Sequence, residues 1–135
     1  MAFIEWTQKN AVGVEEVDNQ HKLLFDLLNR LHESVVQGKE QGELHAILDD
    51  LIEYTVYHFK TEEDLFLKHH YPPYQDHKDV HDDLTRTAVD LQKQLRDGSA
   101  VLSFELLDFL NNWLMEHTLG LDQEMGPFLN SKGVY

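Results

Sequence analysis

Four stretches of the sequence carry apolar residues spaced three and four positions apart, which is the pattern of an amphipathic α-helix. Asp18 is a predicted N-cap of the first stretch and Gly38 its predicted stop. Pro72 and Pro73 end the second stretch, because proline lacks the amide hydrogen and restricts the residue before it. We therefore predict α-helices over residues 18–37, 43–70, 74–96 and 103–118.

No segment alternates apolar and polar residues with a period of two, so the predicted fold class is all-α. Four helices joined by short turns favour an up-down-up-down four-helix bundle. Residues 1–17 are predicted to form an N-terminal arm, and the residues after the fourth helix a short C-terminal segment. A length of 135 residues fits one domain, predicted over residues 1–135.

Charge and composition exclude several classes of function. The chain has 11 Lys and Arg against 25 Asp and Glu, a net charge of −14, which disfavours nucleic acid and anionic membranes as partners. The lack of cysteine excludes disulfides, thiolate zinc sites and cysteine-ligated iron–sulfur clusters. Neither a signal-peptide pattern nor an 18-residue apolar run occurs, so we expect no membrane insertion and a cytoplasmic location.

Polar residues interrupt the apolar stripes at positions that face the predicted core. His58 and Glu62 lie four residues apart on the second helix, and His77 and His81 do so on the third. Residues with this spacing share one helix face, so each pair can converge on one point. The candidate metal ligands, at least one from each helix, are His21, His58, Glu62, His77, His81, His117 and Asp122.

The simpler interpretation of a single buried histidine is hydrogen-bonded structure. Seven buried polar residues without partners would cost several kcal/mol each, against a total stability of about 5–15 kcal/mol. Metal coordination would satisfy all of them together. The remaining histidines are interpreted as surface or helix-end residues: His32, His45, His69 and His70.

The number of ligands indicates two metal ions. Five imidazoles and two carboxylates exceed the needs of one tetrahedral zinc, and magnesium or calcium prefers oxygen ligands. If both carboxylates and an oxide or hydroxide bridge two octahedral ions, eleven of twelve positions are filled and one stays open for a small ligand. A ferritin-like di-iron plan is excluded, because no histidine has a glutamate three residues before it.

Four elements of the sequence together resemble the hemerythrin signature, in particular that of the bacterial single-domain bacteriohemerythrins. They are His21, His58-Phe-Lys-Thr-Glu62, His77-x-x-x-His81 and His117-x-x-x-x-Asp122. The resemblance extends over nearly the whole chain, from Trp6 in the arm to Gly126-Pro127-Phe128. It implies a non-haem di-iron centre in which His77, His81 and His117 hold one iron, His21 and His58 hold the other, and Glu62 and Asp122 bridge.

The function implied by the resemblance is reversible dioxygen binding by an oxygen carrier, store or delivery protein that is not an enzyme. The resemblance favours a monomer. It does not identify a partner protein that would use the oxygen. The alternatives are an oxygen or redox sensor, a di-iron enzyme that reduces peroxide or nitric oxide, and a metal-storage or zinc-binding structural module.

Apolar residues next to the candidate ligands predict a pocket over the open metal position. Its expected members are Leu24, Leu28, Phe59, Trp113, Leu114 and Thr118. The five-residue spacing from His117 to Asp122 rotates about 140° on a helix, so we expect the helix to unwind near Gly120. Thr118 departs from the family pattern, in which a bulky aliphatic residue commonly follows this histidine.

The hydroxyl of Thr118 could admit water to the pocket, so Thr118→Ile is expected to slow autoxidation. The measurement is the rate at which the visible spectrum of the oxygenated protein decays in air. Equal rates in the variant and the wild type would contradict a role for this hydroxyl.

Overall fold

The computed structural model describes residues 4–98, 104–116 and 122–135, with all of their side chains except those of Phe104, Glu105, Leu114, Glu116 and Asp122. All regular structure in these ranges is helical. A short 3₁₀ helix, Gln8–Asn10, precedes the α-helices. These are α1 (Glu15–Val36), α2 (Gln41–Lys68), α3 (Tyr74–Arg96), α4 (Phe104–Glu116) and α5 (Asp122–Ser131).

Helices α1 to α4 form the bundle, in which α1 packs on α2 and α4 while α2 packs on α3. The predicted all-α four-helix bundle is confirmed. The apolar stripes pack into one main core, whose fully buried members include Leu24, Leu28, Leu31 and Leu107. Within the described ranges, no helix is both long enough and apolar enough to cross a lipid bilayer.

The start of α1 differs from the prediction. The helix begins at Glu15 with Val14 as its N-cap, so the assignment of Asp18 as the cap is wrong. The carboxylate of Asp18 instead accepts hydrogen bonds from the backbone N–H groups of Val12 (2.8 Å) and Gly13 (3.3 Å). Asp18 therefore binds the arm to α1, and its negative charge also suits the first turn of a helix.

The N-terminal arm is held along α1 by specific contacts. Ile4 is buried, its backbone N–H donates to Asn29 Oδ1 (2.8 Å), and Asn29 Nδ2 donates back to the Ile4 carbonyl (2.7 Å). Lys22 Nζ lies 4.4 Å from the centre of the Trp6 ring, which is a cation–π distance. The arm is thus an ordered part of the fold over its described residues.

The predicted C-terminal segment is the ten-residue helix α5. Gly126 and Pro127 lie inside it, and both residues are unfavourable in helix interiors, so local sequence argues against a helix there. Tertiary packing overrides that preference. Helix α5 packs with the arm and the ends of α1 and α2 in a second core, made of Val12, Val14, Val17, Phe66, Tyr71, Met125 and Leu129.

Hydrogen bonds and close packing join α5 to the arm. Gln123 Nε2 donates to the carbonyls of Lys9 (3.3 Å) and Ala11 (3.2 Å). A Cβ atom placed on Gly126 would lie 1.9 Å from the Val12 carbonyl oxygen. Only glycine allows the backbones of α5 and the arm to approach this closely.

Gly126→Ala is expected to destabilise the fold by about 1–3 kcal/mol, because the added methyl group overlaps backbone atoms that cannot move aside freely. The free energy of unfolding in urea measures the effect. Gly42→Ala in α2 is the matched control, since an added Cβ there meets nothing within 4 Å, and it should be neutral or stabilising by up to about 1 kcal/mol. Equal stabilities of the two variants would contradict the packing described here.

Candidate metal centre

Five of the seven predicted ligands meet inside the bundle. Helix α1 supplies one, α2 supplies two that are one turn apart, and α3 supplies two with the same spacing. All five side chains are buried, with at most 3% of their surface exposed. They are His21, His58, Glu62, His77 and His81.

The carboxylate of Glu62 lies at the centre of this group. Its Oε1 is 3.1 Å from His81 Nε2, 3.5 Å from His58 Nε2 and 3.8 Å from His77 Nε2. Its Oε2 is 3.9 Å from His21 Nε2. The four imidazole rings therefore all direct the same nitrogen toward one buried carboxylate.

The donor atoms divide into two triads that share Glu62. One triad is His21, His58 and Glu62, the other is Glu62, His77 and His81, and within each triad the donor atoms lie within 4.8 Å of one another. His21 Nε2 and His58 Nε2 are 2.9 Å apart. Two nitrogens bound at right angles to one ion at about 2.1 Å would lie about 3 Å apart, so this spacing fits two ligands of one metal.

Imidazole nitrogens with a shared carboxylate can hold first-row transition metals, whereas magnesium and calcium require oxygen donors. The arrangement of the five residues therefore fits two neighbouring metal ions joined by Glu62. The two remaining predicted ligands cannot be placed: His117 and the side chain of Asp122 lie outside the described residues, as does the predicted unwinding near Gly120.

A layer of polar residues behind the imidazoles was not predicted from the sequence. His58 Nδ1 donates to Gln20 Oε1 (2.7 Å), and Gln20 is itself buried. His81 Nδ1 donates to Glu63 Oε2 (3.3 Å), and Glu63 is 18% exposed. A metal-bound histidine needs an acceptor for its other N–H group, which is a signal that could have drawn attention to both residues.

Lys78 lies beside Glu63 at the outer edge of this layer. Its Nζ is 3.8 Å from Glu63 Oε1 and donates to the carboxylate of Asp82 (2.9 Å). The hydrogen bond to Asp82, together with the nearby negative charges, raises the pKa of the Lys78 ammonium. Glu63 therefore receives the histidine N–H on one side and faces a cation on the other.

Aromatic rings surround the candidate ligands. Phe59 stacks on His81, with ring centres 4.0 Å apart and planes 8° from parallel. Phe66 and Tyr71 of the second core lie 4.7 Å and 6.5 Å from the His77 ring centre. These contacts restrict the rotation of the two imidazoles of α3 and keep them in the orientation that faces Glu62.

Four of the six predicted pocket residues are described, and all four are buried in the main core: Leu24, Leu28, Phe59 and Trp113. The side chain of Leu114 and the whole of Thr118 lie outside the described residues. Among the other histidines, His70 is exposed, with a backbone φ of 55° just after α2, and the rest are only half-buried. None of these four histidines belongs to either triad.

The family model of the Hemerythrin HHE cation binding domain matches residues 12–129. The chain belongs to the hemerythrin family. A bacteriohemerythrin of Methylococcus capsulatus is 36% identical over 97% of this chain and its own full length. A bacteriohemerythrin of Pseudomonas aeruginosa is 32% identical over 87% of this chain and 75% of the relative. The solved structure of wild-type hemerythrin superposes with a TM-score of 0.89 at 36% identity, covering 95% of this chain and 98% of the other. The resemblance noted in the sequence is thus confirmed.

In this hemerythrin, Glu62→Gln is expected to weaken metal binding in both triads, because it removes the one negative charge that they share. Metal affinity should fall by more than the 10–100-fold that is typical when a residue hydrogen-bonded to a ligand is replaced. Metal content per chain after loading with Fe²⁺ under anaerobic conditions and desalting measures the effect. His45→Gln, outside both triads, is the matched control and should keep the wild-type content. Retention of all metal by Glu62→Gln would contradict the shared role.

Proposed function

We propose that this protein binds dioxygen reversibly at a non-haem di-iron centre and serves as an oxygen carrier, store or delivery protein rather than an enzyme. The observation that supports this most is the single buried carboxylate shared by two histidine triads. His117 and Asp122 complete the proposed ligand set, as the family resemblance implies. A single domain over residues 1–135, a monomeric state and a cytoplasmic location stay predictions.

Iron is assigned to the proposed centre because the family resemblance implies it, and a donor set made mainly of imidazoles is compatible with it. Imidazole suits iron, and a set with few anionic ligands gives little support to high-valent, oxidising iron. When bound, the two irons would supply the electrons that hold dioxygen and would take them back on its release. His21, His58, His77 and His81 would bind the irons through Nε2, and Glu62 would bridge them.

The rest of the chain's proposed contribution is to hold these ligands and keep water away. Leu24, Leu28, Phe59 and Trp113 form apolar surroundings, and their burial excludes solvent from the donor atoms. Gln20 and Glu63 each accept an N–H from a candidate ligand, so they orient imidazoles rather than deliver protons to a substrate. This arrangement supports reversible binding over peroxide or nitric oxide reduction.

A cycle of oxygenation tests the proposal. The iron-loaded protein is reduced without oxygen, exposed to air and then evacuated, while its visible spectrum is recorded. We expect the spectrum to change in air and return under vacuum over several cycles, with uptake of about one dioxygen per two irons.

Three results would contradict reversible binding. Continuous consumption of oxygen or peroxide in the presence of a reductant would indicate an enzyme. A colourless protein purified with zinc would indicate a structural or storage module. A spectrum that changes once and does not return would show irreversible oxidation. His45→Gln serves again as the control variant and should follow the wild type.

A further inference from the structure

The two triads differ in the acceptor behind one histidine of each, His58 in the first and His81 in the second. On the side of His21 and His58, the acceptor is the neutral amide of Gln20. On the side of His77 and His81, it is the carboxylate of Glu63. This difference in charge concerns the chain's own residues and is independent of which metal is bound.

A chain of hydrogen bonds sets the orientation of the Gln20 amide. Thr61 Oγ1 lies 3.2 Å from the Tyr57 carbonyl and donates its one hydrogen there. The hydroxyl oxygen must then accept from Gln20 Nε2, which lies 3.2 Å away. The amide oxygen of Gln20 is consequently the atom that faces His58 Nδ1, at 2.7 Å.

This orientation determines the tautomer of His58. An amide oxygen only accepts, so His58 must carry its proton on Nδ1. The lone pair is then on Nε2, which points toward Glu62 Oε1 and His21 Nε2. Gln20 is not itself a ligand, but by fixing this tautomer it makes Nε2 of His58 available to bind metal.

The acceptor behind His81 is charged instead. An anionic acceptor withdraws the N–H proton more strongly than an amide and makes the opposite ring nitrogen a stronger donor to metal. Glu63 is partly exposed and its Oε1 lies 3.8 Å from Lys78 Nζ. Gln20 is only 5% exposed, and a neutral side chain there avoids the cost of burying another charge.

We propose that Gln20 is the positioning residue for His58 and that its neutral amide, in addition to the smaller number of histidines implied for this side, makes the His21–His58 triad the weaker of the two metal positions, the last to fill and the first to empty. The inference rests on the two-metal centre of the proposed function. It predicts that the charge at position 20 changes the affinity of one triad and leaves the other nearly unchanged.

The first test concerns the metal-free protein. Nitrogen-15 NMR of the histidine side chains is expected to show His58 with its proton on Nδ1 in the wild type. Gln20→Leu should convert it to a mixture of tautomers, and the near-isosteric Gln20→Glu should restore the Nδ1 proton. The control is Gln37→Leu, which removes an exposed glutamine at the C-terminal end of α1. It should leave the His58 signal unchanged.

The second test follows the order of filling. Zn²⁺ is diamagnetic, so its stepwise addition to the metal-free protein can be followed through the same histidine signals. The signals of His77 and His81 should shift with the first equivalent and those of His21 and His58 with the second. Gln20→Leu should weaken only the second step, by 10–100-fold, whereas Gln20→Glu should tighten it and reduce the separation between the steps.

Specific outcomes overturn the inference. They are an unchanged His58 tautomer in Gln20→Leu, a Gln20→Glu variant that binds Zn²⁺ as weakly as Gln20→Leu, or simultaneous filling of both triads in all variants. Fewer than two bound ions in the wild type would overturn the two-metal centre and this inference together. If zinc fills the triads in the predicted order but the iron-loaded protein does not release dioxygen, the proposed function fails while this inference stands.

Discussion

The buried carboxylate of Glu62 is the constraint on which the rest of the structure depends. Four imidazole Nε2 atoms lie 3.1–3.9 Å from its oxygens, and the carboxylate has no exposed surface. Taking a carboxylate out of water costs several kcal/mol unless positive charge balances it. Metal ions between the imidazoles and the carboxylate would supply that charge directly. The centre of this bundle therefore fits cations, and its helices bring two groups of histidines to one carboxylate.

The fold holds this arrangement from several sides. Helix α2 carries the shared carboxylate and packs on both α1 and α3, which bring the two histidine groups to it. Behind the rings, Gln20 accepts from His58 Nδ1 and Glu63 accepts from His81 Nδ1, and Phe59 stacks on His81. The arm and α5 then close a second core whose aromatic rings contact His77. The arm and α5, which supply none of the described candidate ligands, thus help to fix the orientation of His77.

Much of the fold and of the site follows from periodicity alone. Polar residues four apart on an apolar stripe must share a buried helix face. This spacing alone predicts that His58 lies beside Glu62 and that His77 lies beside His81. Gln20 and Glu63 lack this periodic signal, because each is adjacent in sequence to a candidate ligand and its contact depends on how two helices pack. Helix α5 was missed because Gly126 and Pro127 oppose a helix locally, whereas tertiary packing stabilises it. The role of Asp18 was misassigned because its amide partners belong to the arm rather than to the helix.

The central claim is that two metal ions lie on either side of Glu62. Anomalous diffraction from crystals of the iron-loaded protein, recorded on both sides of the iron absorption edge, tests it most directly. We expect two iron peaks about 3.5–4 Å apart, one next to His21 and His58 and the other next to His77 and His81. A single peak enclosed by all four imidazoles, or iron bound elsewhere on the chain, would contradict it.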